Sequence, residues 1–131
     1  MKIKKIIAGM LAIAFVVCTS GVTAKAASLK DEQKGKIGDW SVWATTSITP
    51  TGATCITGFT GTGATSVTGT YYYVNFRTVE VGVKTLGTGG RYGVSVSFSA
   101  PTDCRSVRVN GSHRVSCGAQ YWGATTEAIY R

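Results

Sequence analysis

Tyr92, Val94, Val96 and Phe98 alternate with Gly93, Ser95, Ser97 and Ser99. An apolar residue at every second position marks a strand with one buried face. Trp40, Val42 and Ala44 alternate in the same way with Ser41, Trp43 and Thr45, and no stretch after residue 39 carries apolar residues at helical period. A chain patterned like this can bury its strands only against other strands, so the expected fold is all-β.

Further strands are expected near Ala53 to Phe59, Ser66 to Tyr73 and Gln120 to Tyr130. Tyr72, Val74 and Phe76 share one phase, whereas Val79, Val81 and Val83 share the other. One unbroken strand from Thr70 to Lys84 would be about 50 Å long, too long for a small domain. A bulge or corner is therefore expected near Arg77-Thr78, and a turn at Gly87-Thr88-Gly89-Gly90 before the Tyr92 strand. The Thr-Gly pairs between residues 51 and 70 follow no constant repeat and read as flexible loop and exposed strand. The total is seven or eight antiparallel strands, which at this length make a small antiparallel β-sandwich or barrel.

At the N-terminus, Lys2, Lys4 and Lys5 precede an uncharged, mostly apolar run from Ile6 to Cys18, and Ala24-Lys25-Ala26 follows. This is the charged, apolar and small-residue order of a secretory signal. The apolar run is shorter than the roughly 20 residues a spanning helix needs. Residues 1–26 are thus expected to be a cleaved signal peptide, with no transmembrane span and a secreted, extracellular product. Residues 27–39 are mainly charged and polar, with only Leu29 and Ile37 able to bury, and are expected to form a flexible polar leader. Residues 40–131 are expected to form a single β domain. Removing the four lysines of residues 1–26 halves the formal charge, from +8 to +4, with ten basic residues left against six acids. A chain of this length is too short for a cofactor-binding α/β core built from several βαβ units, and no cofactor is expected.

Asn110-Gly111 is the strongest short-range hairpin signal in the chain. With that pair as the loop, Cys104 and Cys117 stand opposite each other, equidistant from the turn. Their pair is of the closer, non-hydrogen-bonded type, within reach of a disulfide, so a Cys104–Cys117 bond is expected. The same register sets Arg108 opposite His113 and Val107 opposite Arg114, with Arg105 beside Ser116. Basic side chains then lie on both faces of a projecting finger. Arg105, Arg108, His113 and Arg114 become candidates for binding an anionic surface, either envelope polymer or acidic lipid. A solvated hairpin whose arginines guard an edge is the competing reading. Cys55 is left as a buried thiol, as a bridge linking two chains into a dimer, or as a sign that the pairing differs. A Cys₃His zinc site with His113 lacks the close Cys-x-x-Cys spacing such sites use, and no metal is expected.

The mature chain holds one histidine, and no Gly-x-Ser-x-Gly elbow, P-loop or dinucleotide fingerprint occurs. Glu80 and Glu127 are each expected to pair with a basic residue rather than to form a glycosidase pair. The expected protein is therefore not an enzyme, and no nucleic-acid partner is expected. In general build (export signal, small size, positive charge, richness in glycine and aromatics) it resembles the exported β-sandwich bacteriocins of the lactococcin type. That resemblance implies a cationic antimicrobial effector acting on cell envelopes, and it assigns no residues. The alternative functions are an extracellular binding module or inhibitor, with Trp40, Trp43, Tyr121 and Trp122 as an aromatic platform for glycan or protein, or a structural matrix protein.

Overall fold

The computed structural model describes residues 28–131, so the expected signal peptide lies outside the described residues. Eight strands follow one another: β1 (Lys30–Ile37), β2 (Trp40–Thr49), β3 (Gly52–Phe59), β4 (Ala64–Asn75), β5 (Val81–Gly90), β6 (Gly93–Ser99), β7 (Cys104–Cys117) and β8 (Gln120–Ile129). They form two antiparallel four-stranded sheets, ordered β1-β2-β3-β6 and β5-β4-β7-β8. The sheets face each other as a small sandwich, with β1 over β8 at one side and β6 over β5 at the other.

Period-two alternation carries directly into packing. Val42, Ala44, Thr46 and Ile48 of β2 point inward, as do Ala53, Cys55, Thr57 and Phe59 of β3. The second sheet answers with Val67 and Tyr71 of β4, Val109, His113 and Val115 of β7, and Thr126 and Ala128 of β8. Tyr71 stacks on Phe98 with ring centroids 5.3 Å apart, and its hydroxyl hydrogen-bonds Ser106 Oγ at 2.7 Å. Each large apolar side chain buried in this way contributes about 1.5–3 kcal/mol.

The segment expected to be a flexible leader is strand β1, paired along its whole length with β2 from Lys30↔Ser47 to Ile37↔Trp40. Composition counts only the side chains, and here the backbone ladder orders a segment with few apolar groups. Cross-sheet ties add to it: Ile37 is buried, Gly35 lies against the Trp122 ring, and the amide of Glu127 donates to Asp31 Oδ2 at 3.0 Å. The amides of Ile48 and Ile129 donate to the Leu29 and Ser28 carbonyls.

The turn signals fall differently from expectation. Asn110-Gly111 lies in the middle of β7, a central strand whose Asn110 pairs with Thr70 on one side and Glu127 on the other. The hairpin turn is Gly118-Ala119, where Gly118 has φ 62°, and β1 and β2 are joined likewise through Gly38 at φ 60°. Both loops put glycine first, where a two-residue loop needs positive φ. The expected corner near Arg77-Thr78 is a hairpin turn, and β4 and β5 on either side of it pair with each other. Gly87 to Gly90 belong to β5, so the chain turns one step later, at Arg91-Tyr92. The Thr-Gly stretch is not loose either: Thr57, Gly58, Gly61, Thr65 and Gly69 are all buried.

Because β7 is continuous, Cys104 and Cys117 stand at its two ends, about 40 Å apart at the usual rise per residue. No disulfide joins them, and Cys55, Cys104 and Cys117 are all free. The expected bond depended on a turn that a strand paired on both sides cannot make.

Candidate functional site

The sandwich interior is divided. One apolar cluster holds Ile48, Cys55, Tyr71, Phe98 and Val109, and a second holds Ile37, Val42, Phe59 and Val115 with Trp122 packed on it. Between them runs a polar layer made by Thr46, Thr57, His113 and Thr126, one from each of β2, β3, β7 and β8. His113 is only 3% exposed, so it belongs to the core and not to a cationic surface. In the expected hairpin it would have faced Arg108, but on a continuous β7 its phase is that of Val109 and Val115.

Hydrogen bonds fix the state of this histidine. The Thr57 hydroxyl donates to the Ser66 carbonyl at 3.0 Å, so it accepts from His113 Nδ1, 2.8 Å away. Nδ1 therefore carries the proton and Nε2 accepts from the Thr126 hydroxyl, also at 2.8 Å. Thr126 in turn meets Thr46, which is hydrogen-bonded to Cys55. Burial pushes the His113 pKa down to about 4, partly opposed by the charge of Asp31. Burial also raises the Cys55 thiol above its ordinary value, opposed in part by its hydrogen bond with Thr46. A thiol, two hydroxyls and an imidazole in series form a chain that nucleophilic chemistry could use. All of them are sealed between the sheets, beyond the reach of a substrate. Cys55 is equally unable to bridge two chains, because its sulfur is wholly buried. Among the described residues, no group of three or more His, Cys, Asp or Glu side chains is placed to hold a metal ion.

The outer face of the β5-β4-β7-β8 sheet is a different environment. Between β4 and β7 the register shifts at Tyr72/Tyr73: Tyr72 pairs with Arg108 and Tyr73 with Ser106, leaving Val107 as the extra residue of a bulge. A bulge reverses strand phase. Arg105 and Arg108, three residues apart, would otherwise point to opposite faces. With the bulge, Arg105 (opposite Val74) and Arg108 (opposite Tyr72) join Arg114 (opposite Ser66) on the outer face. All three lie near aromatic rings: Arg108 is 4.7 Å from the Tyr72 centroid, Arg114 5.9 Å from Tyr121 and Arg105 6.0 Å from Phe76. The one acid among the paired outward residues of this sheet is Glu127, 3.7 Å from Arg108. Among the described residues, Arg105 and Arg114 form no ion pair.

The four aromatic candidates are not brought together. Tyr121 is exposed on this outer face, and Trp122 packs inward against Ile37, Val42, Phe59 and Val115. Trp43 lies over Gly58 on the outer face of the other sheet, and Trp40 sits against Gly61. Trp43 borders a shallow cleft of about 680 Å³ with Glu32, Lys34, Lys36 and Ser41. What the sequence reading missed is the apolar partner of the arginines: Phe76, Val79, Val81 and Val83, all exposed and all at the β4–β5 hairpin. The phase change near Arg77-Thr78 was the available signal, because it marks a turn flanked by valines on both sides. No protein-family model, curated protein or solved structure matches this chain.

Proposed function

We propose that this chain is an exported, non-catalytic effector that acts at cell envelopes, adsorbing to anionic material through the outer face of the β5-β4-β7-β8 sheet. The observation that carries the reading is the Val107 bulge, which aligns Arg105, Arg108 and Arg114 on one face, where Glu127 is the one acid among the paired outward residues of the sheet. Arginines held on a rigid sheet and backed by rings attract phosphate-bearing surfaces from a distance and can pair with them at contact. An excess of basic residues over acids in the chain after residue 26 acts in the same direction. An antimicrobial action on related cells is the biological form this adsorption would take.

The test is adsorption to anionic vesicles and to isolated cell walls at low and moderate salt, with growth inhibition of a panel of bacteria alongside. Wild type should adsorb strongly at low salt and less as salt rises, because exposed charges are screened beyond about 10 Å at 0.1 M. The triple variant Arg105→Ala, Arg108→Ala, Arg114→Ala should adsorb weakly throughout. Equal adsorption by both proteins, or indifference to salt, would refute the reading. A second reading, glycan binding, is favoured by the cleft beside Trp43, where a ring flanked by Lys34 and Ser41 offers stacking and hydrogen bonds together. Salt-insensitive binding to neutral glycan, lost on Trp43→Ala, would support it.

A further inference from the structure

The β4–β5 hairpin exposes a cluster of apolar side chains at its tip, interleaved with Arg77, Thr78 and Glu80. Phe76 is 57% exposed, Val79 76% and Val81 66%, with Val83 behind them on the outer face. The tip is built rigidly. Asn75 Oδ1 accepts from the amides of Arg77 and Thr78 at 2.8 and 3.1 Å, and the Val79 amide donates to the Asn75 carbonyl at 2.7 Å. Val79 holds φ 62°, a conformation rare for a β-branched residue. The turn also docks on the loop before β7: the Phe76 amide donates to the Asp103 carbonyl at 3.0 Å, and Arg77 pairs with the Asp103 carboxylate at 3.0 Å. The tip is therefore ordered by polar contacts beneath it, with its apolar side chains left in solvent.

We infer that this tip enters the interfacial region of an acidic lipid bilayer, with Arg105 and Arg108 lying at the level of the lipid phosphates. The inference rests on the reading of the arginine face as an anionic-surface site and names the partner of that site. Arg105 lies over Phe76, and Arg108 lies over Tyr72, whose neighbour on β5 is Val83, so cation and apolar group share one surface. A soluble polyanion would engage the arginines but leave Phe76, Val79 and Val81 in water. A second copy packed on the same face would bury those side chains but set arginine against arginine. A bilayer with acidic headgroups satisfies both, taking the apolar side chains below the phosphates and the guanidinium groups among them.

The experiment compares three proteins, as processed by the producing cell: wild type, the double variant Phe76→Ser/Val81→Ser, and the triple arginine variant. Each is titrated with vesicles of phosphatidylglycerol and phosphatidylcholine, with vesicles of phosphatidylcholine alone, and with soluble polyphosphate. The double variant should bind polyphosphate like wild type yet partition onto acidic vesicles at least about tenfold more weakly, since each exposed apolar side chain loses its transfer into lipid. The triple variant should fail on both anionic probes. Acidic-vesicle binding by the double variant equal to wild type would overturn the lipid inference while leaving the anionic-surface reading intact. Wild-type binding of both anionic probes by the triple variant would overturn that reading itself. Amide hydrogen exchange on the wild type bypasses any effect of substitution on folding: slower exchange in residues 75–81 on acidic vesicles is expected, and unchanged exchange there would overturn the inference.

Discussion

Gly111 and His113 both face the opposite sheet from β7, and a Cβ on Gly111 would stand 2.5 Å from His113 Nε2. The same Cβ would lie 2.7 Å from Thr46 Oγ1 and 2.8 Å from Thr126 Oγ1. The missing side chain at one position makes room for the imidazole and its hydroxyl partners at the other. That is why glycine occurs in the middle of a central strand, where it otherwise costs stability.

Gly111→Ala should therefore destabilise the fold by about 2 kcal/mol, since overpacking a filled core typically costs 1–3. Urea unfolding would show a lower midpoint at an unchanged slope. An unchanged midpoint would mean that the imidazole moves aside freely, contrary to its two hydrogen bonds.

Acid should weaken the protein through His113. Its native pKa is held at about 4 against an ordinary 6.5, so between those values the unfolded chain takes up a proton that the native chain does not. Stability is then full above pH 6.5, falls as pH drops through the window and levels below about pH 4, by about 3 kcal/mol in all. His113→Gln lacks this component while the carboxylates titrate in both proteins. The stability gap between wild type and variant should narrow from pH 7 to pH 4.5, and a constant gap would contradict the buried neutral imidazole.

The cysteines should report the strand directly. A maleimide reagent should modify Cys104 and Cys117 in the native protein without prior reduction, and reach Cys55 only on unfolding. Peptide mapping that recovers a Cys104–Cys117 bond would require β7 to fold back at Asn110-Gly111, against its pairing with both β4 and β8.

The two glycine-containing pairs should respond unequally. Gly118→Val places a β-branched residue at φ 62° and should cost about 1–2 kcal/mol. Asn110→Thr, in a strand interior where a β-branched residue is at home, should change stability by less than about 0.5 kcal/mol. Thermal unfolding of both variants decides it, and the reverse order would restore Asn110-Gly111 as the turn.

The sequence by itself determined the class of fold and the approximate bounds of β3, β4, β6 and β8. Which side chains of β2, β3 and β6 point inward follows from a period of two residues, and that period is local information. The corner after Phe76 was legible for the same reason, since Val81 and Val83 break phase with Tyr72 and Val74. The tertiary structure decided which glycines turn the chain and which relieve crowding. Gly118 bends a hairpin while Gly111 gives way to His113, although Asn110-Gly111 has the stronger local turn signal. It also decided that Lys30–Ile37 is a strand, held by a ladder to β2 that side-chain composition does not register. The common face of Arg105, Arg108 and Arg114 arose likewise from a single inserted residue, Val107, whose bulge exists only where β7 meets β4. Strand phase is set by neighbours in the chain, but register, bulges and close approach are set by neighbours in space.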